Sequence, residues 1–165
     1  MNGRDEIALL LGQIEKSQAV LARIAERHDE FLQTDFKLLG RKNTSAMVIA
    51  ELLVDYYTCL ETLFLRVSQF FENNLRQEKW HADLLEKMTL RIEGVRGPVI
   101  SDETRGLLDE MMKFRHFRRY YFELDYDWDK LDYLERKWAE VRARIEGELE
   151  SFKDFLRTLR AEVEG

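Results

Sequence analysis

The chain has 165 residues, 45% hydrophobic and 35% charged, with a formal net charge of −6. That mix belongs to a folded globular chain and excludes a disordered one, and the length is that of one domain covering residues 1–165. The acidic balance argues against broad, non-specific nucleic-acid binding, which needs a basic footprint, yet leaves room for a small basic site.

One proline and eight glycines leave little punctuation for strands and turns, so long helices are predicted. From about Asp5 to Gln33, the residues Ile7, Leu11, Ile14, Leu21, Ile24 and Phe31 recur at helical steps, with Gln18 and His28 filling the row. His28 sits among Glu26, Arg27, Asp29 and Glu30, which reads as a solvated face with no functional role. "TDFKLLGRKNTS" then breaks the helix, with Gly40 as a stop and Asn43, Thr44 or Ser45 as the next N-cap.

The segment from about Ser45 to Asn73 is the most apolar, and its stripe covers most of the helix circumference; such a helix sits centrally among several neighbours. It contains the single cysteine, Cys59, which reads as a buried thiol in a reducing compartment. "ENNLRQ" predicts a turn or kink, and "EKWHADLLEKMTL" a shorter helix. "RIEGVRGPVISDET" is the clearest loop, ending at Ser101 as an N-cap with Asp102 and Glu103 behind it. A fourth helix runs from there to about Phe122–Asp125. The last, from about Asp127 to Val163, carries Leu131, Leu134, Trp138, Val141, Ile145, Leu149, Phe152, Phe155 and Leu159 close to heptad spacing. The expected fold is all-α, an antiparallel bundle of about five helices, with apolar surface enough for a second copy.

The N-terminus lacks a signal peptide's apolar region, and no window approaches 18 uncharged apolar residues, so a cytoplasmic protein without a membrane span is expected. No Cys–His cluster or Gly-rich phosphate loop is present, and Glu78 with His81 makes one E-x-x-H pair where a di-iron site needs two; neither metal nor cofactor is expected.

The fourth helix carries the unusual chemistry. Lys113, Arg115, Arg118 and Arg119, with His116, are interleaved with aromatic residues, and Glu123, Asp125, Asp127 and Asp129 follow. On a helix Arg115 and Arg119 stack four apart, His116 sits above Tyr120, and both rows continue an apolar face from Leu108 and Met112. Two like charges on such a face destabilise the helix unless an anion lies between them. Two readings remain open. The anion is internal, drawn from Glu123, Asp125, Asp127, Asp129 or Asp132, or it is a phosphate clamped by the two guanidiniums, with His116 moving protons and Tyr120 or Tyr121 stacking or donating a hydrogen bond. Such a set suffices for metal-independent RNA cleavage. Arg76 and His81 also satisfy R-x4-H, which makes His81 a secondary candidate, whereas Trp80 reads as core.

At "FRHFRRYYFELDYDW", with "WHADLLEKM" upstream, the chain resembles the HepT-like branch of the HEPN superfamily. The resemblance implies a small, dimeric helical bundle and a ribonuclease toxin with an R-x4-H-x-Y motif. It also implies an MntA-like nucleotidyltransferase antitoxin that adenylylates the motif tyrosine. Arg115 matches the motif arginine, but Tyr120 stands at the histidine position and Phe122 at the tyrosine position. The modifiable hydroxyl is then Tyr121 or Tyr120. The expected function is therefore a toxin–antitoxin endoribonuclease using Arg115, His116, Arg119 and Tyr120. The alternative is a non-catalytic HEPN bundle that binds a nucleotidyltransferase-type partner or a nucleotide.

Overall fold

A computed structural model describes residues 3–72, 80–120 and 125–163, and for Arg119 and Tyr120 the backbone only. Among them the helices are α1 (Gly3–Gln33), α2 (Asp35–Leu39), α3 (Asn43–Phe71), α4 (Trp80–Thr89), α5 (Asp102–Tyr120) and α6 (Trp128–Glu162). The all-α bundle expected from the sequence is what forms. The extra element is α2, one turn inside the expected break, closed where Gly40 takes φ 67° and its N–H donates to the Phe36 carbonyl at 2.8 Å. A left-handed residue after the last turn is what glycine supplies without a Cβ penalty. The predicted turn at "ENNLRQ" falls almost entirely outside the described residues.

The helices pack by their apolar stripes. α6 buries Leu131, Leu134, Trp138, Val141, Ile145, Leu149 and Phe152 of the predicted seam and then Leu156, while Phe155 and Leu159 of that seam are half-buried against the core. α3 packs against α1, α4, α5 and α6, the central position that its wide apolar surface requires. Cross-links give the chain directions. Gln18 bonds Glu146 and Glu150 while Asp29 meets Arg142, so α1 and α6 run antiparallel. Thr104 of α5 bonds Glu148 of α6, and Tyr126, between those two helices, bonds Asn43 at the start of α3.

Capping is partly as expected. The Ser101 hydroxyl accepts from the Thr104 N–H at 3.2 Å, an N-cap bond across three residues. At α3 the cap position is Lys42, with no side-chain bond; Asn43 lies inside the helix, and its side-chain oxygen accepts the Tyr126 N–H instead. Cys59 is half-buried, and burial pushes its thiol up, as suits an inert packing residue.

His28 corrects the sequence reading. It is buried, not solvated. Its Nε2 lies 2.7 Å from Glu135 and its Nδ1 3.3 Å from Asp29, and its ring meets Trp138 edge-on at 4.6 Å. Of the groups that close over it, Glu135 and Trp138 come from α6, which local charge cannot reveal.

Between α4 and α5 the chain makes a tight turn, with Gly94 at φ 71° and reciprocal backbone bonds between Ile92 and Arg96. The Arg96 side chain, wholly buried, reaches the Glu72 carboxylate after α3 and the carbonyls of Lys87, Leu90 and Gly97. One guanidinium thus joins the end of α3, the end of α4 and the loop. Among the described residues no helix is long and apolar enough to cross a membrane.

Two outcomes follow. Arg96→Ala leaves the Glu72 carboxylate and three carbonyls without their donor, and costs about 3–5 kcal/mol in urea denaturation. The Arg142 guanidinium holds the Asp29 carboxyl below the usual carboxylate range, with burial opposing it. A depressed folded value contributes stability above the unfolded value, about pH 4, and loses it as pH falls through the folded value. Asp29→Asn therefore costs roughly 0.5 kcal/mol near neutrality after solvent screening, and the gap to wild type closes in melts near pH 3.

Candidate functional site

Val54, Thr58 and Glu61 stand four and three residues apart, so they share one face of α3. That face meets the start of α4 at His81 and the second half of α5 at Arg115 and Arg118. Together these six residues line an open pocket of about 440 Å³.

Glu61 is the centre of the arrangement. It lies in an apolar helix and is only 6% exposed. A buried carboxylate costs several kcal/mol unless it is paired and hydrogen-bonded, and here one oxygen, Oε2, takes three partners. The Tyr57 hydroxyl donates at 2.9 Å, the Arg115 Nη2 at 2.9 Å, and the His81 Nδ1 lies at 2.8 Å. Tyr57 is one turn upstream on α3. Burial first, then the charge of Glu61, pushes its phenol far up, so it stays a donor at every working pH.

Arg115 is held from several sides. Its Nη1 donates to the Thr58 hydroxyl at 3.2 Å, its guanidinium carbon lies 4.7 Å over the Tyr57 ring, and its Nη2 comes within 3.3 Å of His81 Nδ1. Arg118, three residues on, pairs with Glu51, while its Nη1 is buried with no hydrogen-bond partner among the described residues. Beside that pair, burial and then the Glu51 charge raise the Asp55 carboxyl. His81 stacks on Trp80 with ring centroids 3.6 Å apart. Trp80 is half-buried and packs on the core, as its sequence reading had it, and it also backs the imidazole.

The predicted residues divide as follows. Arg115 sits in the pocket, continuing the buried face of Leu108 and Met111. His116 is exposed and is not among the residues lining it. The Arg119 and Tyr120 side chains, Tyr121 and Arg76 lie outside the described residues. His81, the secondary candidate, is in the pocket. Its partners there are Glu61 and Arg115, reached across the bundle. Of the two readings left open, an internal counter-charge is present at Arg115, and it is Glu61 of α3. Among the described acids after α5, Asp132 pairs with Arg41 and Asp127 caps α6. Sequence reasoning missed Glu61, Thr58 and Arg118. The available signal was Glu61 itself, an acid on the apolar side of "YYTCLETLF", four residues after a tyrosine.

Chemically, the pocket offers an imidazole whose Nδ1 is engaged and two guanidiniums, one locked in the interior and one at the mouth. It can take a phosphate-sized anion and move a proton. Among the described residues no three His, Cys, Asp or Glu side chains gather as a metal-binding group. A family model described as HepT-like protein matches residues 48–156, a span that contains every lining residue of the pocket. No curated protein and no solved structure matches the chain.

The two arginines differ in burial, and their removal separates them. Arg115→Ala strands the Glu61 carboxylate and lowers stability by about 3–5 kcal/mol in chemical denaturation. Arg118→Ala breaks a pair whose acid is exposed and whose arginine is half-buried, and costs about 1 kcal/mol.

Proposed function

Since the chain belongs to the HepT-like family, we propose that it is the toxin of a toxin–antitoxin pair, a homodimeric, metal-independent endoribonuclease silenced by an MntA-like nucleotidyltransferase. One observation carries the reading: an imidazole and two guanidiniums converge on a single open pocket. His81 takes the proton of a ribose 2′-hydroxyl. The 2′ oxygen bonds to phosphorus, the bond to the 5′ oxygen breaks, and that oxygen takes a proton from water. The products are a 2′,3′-cyclic phosphate and a 5′-hydroxyl. Arg115 and Arg118 stabilise the charge that builds on the phosphoryl oxygens. Arg118 turns from its solvated partner Glu51 to the substrate at little cost, because an exposed ion pair is worth roughly 0–1 kcal/mol. Arg119, Tyr120 and Tyr121, which follow Arg118 in sequence, contact RNA or take the adenylyl group.

The second reading, a non-catalytic bundle that binds a nucleotidyltransferase-type partner or a nucleotide, is favoured by the pairing of Arg115 with Glu61. A guanidinium already neutralised in the interior serves architecture as readily as catalysis.

The test is RNA cleavage in EDTA. A general acid–base group contributes roughly 10²–10⁴-fold and a charge-stabilising donor about 10²–10³-fold, so His81→Ala and Arg115→Ala each lose about a hundredfold or more, with circular dichroism verifying their fold. Activity kept in His116→Ala assigns the proton to His81; activity lost there and kept in His81→Ala assigns it to His116. Equal background in wild type and all variants ends the nuclease reading. Co-expression with an MntA-like nucleotidyltransferase adds AMP to Tyr120 or Tyr121, read by mass spectrometry of the tryptic peptides.

A further inference from the structure

We propose that Glu61 is a positioning residue: it accepts the Nδ1 proton of His81, fixes the imidazole in one tautomer, and leaves Nε2 as the nitrogen that exchanges protons in the pocket. The inference rests on the nuclease reading for its consequence in catalysis, but its structural half stands without RNA.

Two neighbours compete for His81 Nδ1. An acceptor and a donor are within reach, Glu61 Oε2 at 2.8 Å and Arg115 Nη2 at 3.3 Å. A bare Nδ1 would accept weakly from Arg115 while its lone pair faced a carboxylate oxygen at the shorter distance. Glu61 is only 6% exposed, so that repulsion is screened far less on the carboxylate side than in open water, although the imidazole itself is 39% exposed. A protonated Nδ1 reverses the balance: it donates to the carboxylate, and Arg115 Nη2 has Glu61 Oε2 at 2.9 Å for its own proton. In a neutral imidazole one nitrogen donates and the other accepts, so Nε2 is bare and basic. Trp80 stacked on the ring and Tyr57 bonded to the same oxygen restrict rotation of the pair.

The experiment uses the full-length protein with ¹⁵N-labelled histidine. At a pH where His81 is neutral, wild type carries its proton on Nδ1, with long-range ¹⁵N–¹H cross-peaks that leave Nε2 unprotonated; a proton on Nε2 overturns the proposal. His81→Ala assigns the signals. Glu61→Gln keeps the side chain's shape and lets an amide N–H donate to Nδ1. The Nδ1-protonated population falls at least threefold, and kcat falls about a hundredfold or more with KM within threefold, as loss of the correct tautomer does elsewhere. A kcat within threefold of wild type also overturns it. Where wild type does not cleave RNA, the nuclease reading fails and the tautomer spectrum alone decides. Tyr57→Phe, which leaves the His81 contact intact, retains the wild-type tautomer. If Glu61→Gln does not fold, the position of the proton in the wild-type spectrum upholds or overturns the proposal by itself.

Discussion

One carboxylate oxygen joins three helices. Glu61 Oε2 receives Tyr57 from its own helix, His81 from α4 and Arg115 from α5. Each donor is there because the acid is buried, and the acid is tolerable only because all three are there. Removing water from a carboxylate is so unfavourable that the partners must arrive with good geometry or the helix would not bury that face. The position of α4 against α3 and the rotation of α5 about its axis are therefore set by polar constraints inside an otherwise apolar contact.

That constraint explains what the sequence disclosed and what it withheld. Periodicity is a one-dimensional signal, and it located the α6 seam from Leu131 to Phe152 and the central place of α3, because apolar residues at helical steps can only mean a buried stripe. In α1 the stripe was displaced by a residue in places. Leu10, Ser17 and Ala25 are buried where Leu11, Gln18 and Ile24 carried the expected row, and Leu11 and Ile24 are half-buried beside them. In α5 the buried row passes Thr104, Leu107, Leu108, Met111 and Phe114. It brings Arg118 to Arg115, since steps of three and four are equally good neighbours on a helix.

The pairings were not legible, for the same physical reason at both histidines. An imidazole's environment is decided by whatever crosses from another helix, and local sequence reports only neighbours in the chain. His28 among four charged residues reads as wet, yet Trp138 and Glu135 close over it. His81 reads as a stray match, yet it meets an acid 20 residues away and an arginine 34 away. Within the pocket the ion pairs also differ in kind. Arg115 and Glu61 are interior, so their geometry is fixed before any ligand arrives. Arg118 and Glu51 meet where water competes, so that cation is the adaptable one.

The buried Arg96 guanidinium gives the architecture a remote dependency. Among the described residues α4 has ten, a short helix that leans on its tertiary contacts. Its first turn presents the imidazole; its last is gripped by Arg96, which also grips the end of α3. The order of the short helix is thus on loan from a residue that never touches the cavity. In a genetic screen, lesions at Arg96 or Glu72 would score alongside those at His81, and their distance from the chemistry would hide a shared cause.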